Sequence, residues 1–386
     1  MERSIVPIKI PRGPATYRIT IGNRLLGDVG RWAAKTLRRE SGRVLIVSNP
    51  KVFSLFGKAT ERSFNQSGFD THVHLIGDGE RFKNLRTLEK TLRTLSEKGF
   101  TRTDAVVALG GGVVGDLAGF AASIHLRGIN LLQIPTTLLS MIDSSVGGKT
   151  AVNTAFGKNL VGTFYQPSGV LIDVEVLKTL ARREITAGLC EAIKQGAISG
   201  RPLFRQTSNF VEAFPVKDFG NTVKFDLLAP GLVDLIDKQV RFKAGIVQND
   251  EGESAHNNTP RSRKILNFGH TFAHALEKST DYRLLKHGEA VGYGIMFAAE
   301  LSKKLELLGQ DEVNSLNDVV RRAGTLPPIS GIDQSAILKS FKHDKKRVGN
   351  SLHWVLLRGI GKPVIVPETE IPESAVLSTL NSAFQK

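Results

Sequence analysis

Residues Ile5 to Ile21 alternate apolar and polar over two short segments, Ile5-Val6-Pro7-Ile8-Lys9-Ile10 and Tyr17-Arg18-Ile19-Thr20-Ile21, the period of an antiparallel edge hairpin. Farther on, apolar residues gather instead in short runs, Arg43 to Ser48, Ala105 to Leu109, Asn130 to Ile134 and Val170 to Asp173, with a further strand expected over Thr71 to Ile76. Such runs predict strands buried on both faces of a parallel sheet. With the helical spacing of Leu85 to Glu97 between them, the first part of the chain reads as an α/β layer around a mostly parallel, Rossmann-like sheet. After Asp173 the period becomes helical, over Glu175 to Leu180, Glu184 to Ser199, Leu227 to Ile246, Ile265 to Glu277, Gly288 to Leu307, Asp311 to Ala323 and Gln334 to Phe341. The expected organisation is an α/β domain over residues 1–173 and a mostly α-helical domain over 174–386, with the polar, turn-rich stretch from Asp250 to Arg263 as an exposed loop.

Composition excludes several classes. At 386 residues, 41% hydrophobic and 23% charged, the chain can bury two full cores. A single cysteine, Cys190, rules out an internal disulfide framework and suits a reducing cytoplasm. No apolar run approaches membrane length and Met1-Glu2-Arg3-Ser4 does not open a signal leader, so neither a membrane nor a secreted protein is expected. The net charge of +15 invites a nucleic-acid reading, but Lys and Arg are spread along the whole chain rather than gathered on one face with stacking aromatics. The expectation is a basic solvated surface that helps steer an anionic small substrate, with no nucleic-acid partner.

The chemistry gathers between Asp104 and Lys194. Ala105 to Leu109 runs into Gly110-Gly111-Gly112-Val113-Val114-Gly115-Asp116, a strand turning sharply into a helix whose first N–H groups can cradle an anion. After the next strand come Pro135-Thr136-Thr137, then Asp143 to Thr150 and Phe156-Gly157-Lys158-Asn159, read as two Gly-rich turns. Two lysines and several hydroxyls here point to a phosphate-bearing ligand. Gly110, Gly112 and Gly115 fit G-x-G-x-x-G, yet the acidic ribose partner expected about 20 positions on is replaced by Pro135-Thr136-Thr137, which disfavours an ordinary Rossmann first unit. Gly148-Lys149-Thr150 fails as a P-loop because the earlier glycine it needs is Asp143.

The helical half carries a second constellation. His270 and His274 stand at i and i+4 on one helix face, His287 opens the next helix, and Glu191 and Lys194 lie one turn apart among apolar residues. Two or three imidazoles with one carboxylate make a zinc-type site with room for a substrate oxygen; hydrogen-bonded core histidines are the plainer alternative. His-Glu-x-x-His is absent, so a metalloprotease is not indicated.

Taken together, nine ordered segments resemble the sugar phosphate cyclase family, and within it the 3-dehydroquinate synthases, over nearly the whole chain. They are Asp78 to Lys83, Gly110 to Gly119, Pro135 to Leu139, Asp143 to Lys149, Gly157-Lys158-Asn159, Gly188 to Gly196, Leu266 to His274, His287 to Val291, and Asp344-Lys345-Lys346. The resemblance implies a cytoplasmic, homodimeric lyase that uses NAD and a divalent metal, Zn2+ or Co2+, to convert 3-deoxy-D-arabino-heptulosonate 7-phosphate to 3-dehydroquinate and phosphate. By position it implies Glu191, His270 and His287 as metal ligands and His274 as an acid/base group. NAD contacts fall on Asp78, Glu80, Lys83, Gly112, Val113, Val114, Gly115, Asp116, Thr136, Thr137, Lys149, Lys158, Val176, Leu177, Lys178 and Thr179. Substrate contacts fall on Asp143, Lys149, Asn159, Lys194, Lys243, Arg263, Asn267 and one lysine of Lys345-Lys346, with Arg127 reaching across the dimer.

The implied chemistry explains why these residues occur together. Transient oxidation of a ring alcohol by NAD acidifies the neighbouring C–H, phosphate leaves by elimination, hydride returns, and an internal aldol closure forms the carbocycle. The chain departs from the family pattern at Asn49, where an aspartate is common, at Gln195 beside Lys194, and in a longer loop over Glu253 to Thr259. Two rival readings are a cyclitol-forming sugar phosphate cyclase and a metal-dependent polyol dehydrogenase that releases NADH.

Overall fold

The computed structural model describes residues 4–8, 16–37, 41–254, 257–344 and 353–384. Two compact units are present, Met1–Thr179 with Ala229–Ala244, and Leu180–Leu228 with Gly245–Lys386. Among the described residues no helix is long and apolar enough to cross a membrane.

The first unit is built on strands β1 (Ser4–Ile8), β2 (Tyr17–Gly22), β3 (Arg43–Ser48), β4 (Asp70–Leu75), β5 (Ala105–Gly110), β6 (Asn130–Pro135) and β9 (Gly169–Asp173), in the order β1-β2-β9-β6-β5-β3-β4. Among these seven strands only the β1–β2 pair is antiparallel; every other neighbour is parallel, as the buried runs of β3, β5, β6 and β9 lead one to expect, while β4 is a half-exposed edge strand. From β3 the chain steps outward to β4, then returns to the far side of β3 as β5 and continues to β6 and β9. The order therefore reverses between β3 and β5, and the carboxyl ends of those strands are where an open α/β sheet binds its ligand. The Ser48 hydroxyl ties the two ends together by donating to the Leu109 carbonyl at 2.8 Å.

Helices α1 (Val29–Thr36), α2 (Lys58–Gln66), α3 (Leu85–Glu97) and α4 (Gly112–Ile124) accompany these strands. The Asn84 side chain caps α3 by accepting from Thr87 N–H at 3.0 Å. Leu117, Phe120 and Ala121 of α4 pack with Val106 and Ala108 of β5 and Leu45 and Val47 of β3 in one core cluster. The region read as two Gly-rich turns is instead an antiparallel pair, β7 (Lys149–Thr154) and β8 (Gly157–Phe164). Gly147 and Gly148 do form a turn with positive φ, but Lys149 opens β7 and Lys158 and Asn159 lie within β8. The unanticipated pairing follows from β8 being mostly exposed, so no buried apolar run marks it.

The second unit is mostly helical: α5 (Arg182–Ser199), α6 (Arg201–Ala213), the ends of α7 (Thr222–Asn249), α8 (His270–Ser279), α9 (His287–Lys304), α10 (Gln310–Arg322), α11 (Gln334–Asp344) and α12 (Glu373–Phe384). A hairpin of β10 (His353–Leu357) and β11 (Pro363–Pro367) completes it. The single helix expected over Ile265 to Glu277 is two elements, a 3-10 turn over Arg263–Asn267 and then α8. They are parted by Gly269 at φ 78°, a backbone conformation that suits glycine. Glu175 to Leu180 is likewise a 3-10 turn, over Val174–Thr179.

Gly294 on α9 sits against the backbone of Gly269; a Cβ there would lie 2.0 Å from the Gly269 carbonyl oxygen. Gly294→Ala is expected to destabilise the protein by about 1–3 kcal/mol, the usual cost of overpacking, read as a lower denaturant midpoint.

Candidate active site

In the second unit, α5 passes through the core and buries Glu191 completely. Neither carboxylate oxygen of Glu191 has a hydrogen-bond partner among the described residues. The Lys194 ammonium lies 2.6 Å from its Oε2, an ion pair outside hydrogen-bond alignment. His270 opens α8, with its Nε2 3.7 Å from Glu191 Oε1, and His287 opens α9, with its Nε2 3.5 Å from the same oxygen. The His270 Nδ1 is 3.3 Å from the Phe268 carbonyl, to which it can only donate, so Nε2 carries the lone pair that faces Glu191. Two acceptors turned toward each other in a buried pocket repel unless a cation stands between them. The donor atoms of Glu191, His270 and His287 all lie within 4.8 Å of one another, which fits a divalent ion.

Burial holds the His270 imidazole well below its ordinary range, helped by Lys194 and the two neighbouring histidines, so it is neutral and ready to ligate. Burial also pushes His287 down, but the charge and hydrogen bond of Glu277, with Glu191, outweigh it and raise its pKa. His274 is exposed one turn along α8, its ring centroid 5.3 Å from that of His270 and 6.0 Å from that of His287.

The start of α9 is fixed by a clamp that the sequence motifs do not reveal. Arg183 donates from Nε to Glu289 Oε1 at 2.7 Å and from Nη2 to Oε2 at 2.6 Å, while Glu289 Oε2 accepts Lys286 N–H at 2.7 Å. Gly288 lies so close to α5 that a Cβ would be 2.0 Å from the Ala187 carbonyl oxygen. His287-Gly288-Glu289 therefore combines a candidate ligand, a close backbone approach and an anchor. Glu277 was also missed, although its place seven residues after His270 puts it on the same helix face.

Other expected substrate residues of this unit are distributed around the loop before α8. Arg263 is buried, its Nη1 donating to the Glu251 carbonyl at 2.8 Å, and Asn267 Nδ2 donates to Glu253 Oε1 at 3.3 Å. Asp250 organises the loop: it accepts from the N–H groups of Ser254 and Arg263 and from the side chains of Ser262 and Asn257. Lys345 and Lys346 lie outside the described residues.

In the first unit most of the expected nucleotide residues follow the carboxyl ends of the parallel strands, with Lys149 and Lys158 on the β7–β8 pair. Gly111 caps α4 without a side-chain acceptor, so the first-turn N–H groups remain available to an anion. Thr136 N–H donates to the Gly110 carbonyl at 3.0 Å, and its buried hydroxyl has no partner among the described residues, a polar atom that fits a nucleotide. Asn49 caps the turn after β3 by accepting from Val52 N–H at 2.8 Å, and its Nδ2 donates to Asp78 at 3.1 Å. Glu80 accepts from Asn153 at 2.7 Å.

Lys83 is buried and donates to Asp116 and, at 2.6 Å, to Asn159. Burial raises the Asp116 pKa, and Lys83 pulls it part of the way back. Lys243 Nζ pairs with Asp143 Oδ1 at 2.8 Å. Thr137 bonds with the Ser140 hydroxyl, and Lys149 is exposed at the start of β7. In the Val174–Thr179 turn, Val176 and Leu177 are buried, Lys178 pairs with Glu175 at 2.8 Å, and Thr179 donates to the Val176 carbonyl.

A pH dependence follows from Asp250. Burial raises its pKa, but its four hydrogen bonds outweigh that and leave the value lowered. Its stabilising effect is therefore present above about pH 4, the unfolded carboxyl value, and is lost as pH falls through the lower folded value. Asp250→Asn should reduce stability by about 1–3 kcal/mol at pH 7, with a smaller difference below about pH 4 in denaturant titrations across pH.

Residues 73–187 match the family described as 3-dehydroquinate synthase N-terminal, and residues 188–347 match 3-dehydroquinate synthase C-terminal. The chain is 38% identical over 382 residues to 3-dehydroquinate synthase of Rippkaea orientalis, covering 98% of this chain and 99% of that protein. It is 42% identical over 332 residues to 3-dehydroquinate synthase of Syntrophotalea carbinolica, covering 86% of each. Among solved structures, 2-epi-5-epi-valiolone synthase from Streptomyces hygroscopicus subsp. jinggangensis with NAD+ and Zn2+ bound is 27% identical with a TM-score of 0.84, covering 97% of this chain and 98% of that one. By sequence over nearly its full length, this chain belongs to the 3-dehydroquinate synthase family.

Proposed function

We propose that this protein is a cytoplasmic, homodimeric 3-dehydroquinate synthase that converts 3-deoxy-D-arabino-heptulosonate 7-phosphate to 3-dehydroquinate and phosphate with NAD and a divalent cation, Zn2+ or Co2+. The observation that carries this reading is Glu191, a fully buried carboxylate that pairs with Lys194 through Oε2 at 2.6 Å and faces two imidazole nitrogens through Oε1 at 3.5 and 3.7 Å. In the proposed roles Glu191, His270 and His287 hold the cation, and the α4 N-terminus with Thr136 and Thr137 holds the nucleotide. Asp78, Glu80, Lys83, Lys149, Lys158 and the Val176 to Thr179 turn complete the proposed NAD contacts; the proposed domains are α/β over residues 1–173 and helical over 174–386.

When bound, NAD accepts and returns a hydride at one ring alcohol while the cation polarises substrate oxygens. The chain's own groups bind and move protons around that chemistry. Lys149, Lys194, Lys243 and Arg263 match the charges of phosphate and carboxylate, with the Arg263 fork suited to bidentate contact. Asn267 joins Lys243 and Arg263 as a group suited to the carboxylate, and Asn159 and Asp143 are further substrate contacts. His274, exposed and one turn from His270, is placed to exchange a proton with substrate. The homodimer is supported by exposed Ile124, Leu126 and Phe164, which lie on two segments joined by the 2.8 Å Thr163–Ser123 hydrogen bond. Arg127, beside Leu126, would contribute to the partner's site.

Incubation with the heptulosonate phosphate should release inorganic phosphate with no net NADH, and omission of NAD or addition of a chelator should stop it. NADH accumulating with a simple polyol, without phosphate release, would identify a dehydrogenase instead. His270→Ala and Glu191→Gln should each abolish phosphate release and lower metal content by elemental analysis; full activity in either would reject the assigned ligands.

A further inference from the structure

We infer that Glu277 is a positioning residue for the cation, a role that rests on the metal centre proposed above. Its side chain is almost completely buried on α8, and its Oε2 lies 3.2 Å from His287 Nδ1. The other ring nitrogen, Nε2, faces Glu191. A carboxylate on Nδ1 requires that nitrogen to keep its proton, which leaves the Nε2 lone pair free and aimed where His270 and Glu191 converge. Ring rotation is thereby set by Glu277, while the Arg183–Glu289 clamp and the Gly288 contact set the backbone beneath it.

Helix α8 thus supplies the ligand candidate His270 directly and orients His287 through Glu277, seven residues later on the same face. A carboxylate in this second position raises the basicity of the imidazole and fixes its tautomer, and loss of such a partner costs about 10–100-fold in metal affinity. His274, Glu277 and His287 also bring donor atoms within 4.8 Å of one another. Using them as a separate cation site would take both nitrogens of His287 for metals and remove the proton shared with Glu277. The positioning role therefore predicts a single cation, with Glu277 outside its ligand shell.

The test titrates full-length, chelator-stripped protein with Co2+ against a competing chelator, following stoichiometry and affinity for wild type, Glu191→Gln and Glu277→Gln. The expected result is one Co2+ per wild-type chain, loss of binding in Glu191→Gln, and one Co2+ bound about 10–100-fold more weakly in Glu277→Gln. Affinity within twofold of wild type in Glu277→Gln, with Glu191→Gln impaired, overturns the role of Glu277 alone. Wild-type affinity in Glu191→Gln overturns the metal centre itself and this inference with it. Two Co2+ per wild-type chain overturns the positioning role by making Glu277 a ligand. If Glu277→Gln does not fold, histidine-selective NMR of the Zn2+-loaded wild type decides: His287 should bind through Nε2 and keep its Nδ1 proton, and ligation through Nδ1 overturns the inference.

Discussion

A carboxylate kept from water needs positive charge beside it, and Glu191, fully buried 2.6 Å from the Lys194 ammonium, imposes that requirement on the helical unit. The effective cost of burying one such ion is several kcal/mol, whereas an exposed ion pair returns at most about 1 kcal/mol. Surface pairing cannot meet it. The compensating charge has to come into the core, so Lys194 stands one turn away on the same helix, while α8 and α9 each turn a histidine, their first residue, toward the carboxylate. Much of the local architecture follows from bringing those helix starts close to α5, including glycines where a side chain would strike backbone.

The first unit meets a related demand with paired charges. Lys83 is shared between Asp116 and Asn159, and Lys243 is held on Asp143, so buried ammonium groups have fixed partners near the strand ends. Such pairs order long side chains in advance and reduce the conformational entropy lost when an anion arrives. Helix α4 adds the field of its N-terminus, which its Gly111 cap leaves without a side-chain acceptor.

The sheet was legible because burial on both faces leaves an unambiguous mark: Ala105 to Leu109 and Val170 to Asp173 can hardly be anything but central strands. The long helices were legible for the matching reason. The β7–β8 pair was not, since its exposed residues alternate among Gly, Asn, Thr and Leu without an apolar face. At Gly269 a helical pattern runs through a residue whose positive φ breaks the helix, and apolar spacing cannot register that. The metal constellation was visible as residue types at suggestive spacings, and the fold brings Glu191, His270 and His287 together. Arg183 was invisible because Glu289 lies 106 residues farther along the chain, and Glu277, although it shares a helix face with His270, belongs to none of the motifs.

The composition of the first unit also bears on how the chain is made. Its residues are interrupted by Leu180–Leu228, and it includes Ala229–Ala244 from the interior of the 28-residue helix α7. A ribosome translating from the amino terminus therefore cannot release a finished α/β unit when Thr179 emerges; Asp143 lacks its lysine until residue 243 has left the exit tunnel. The helical unit begins to appear before its predecessor is complete, which makes the order of synthesis and the order of folding two different sequences of events.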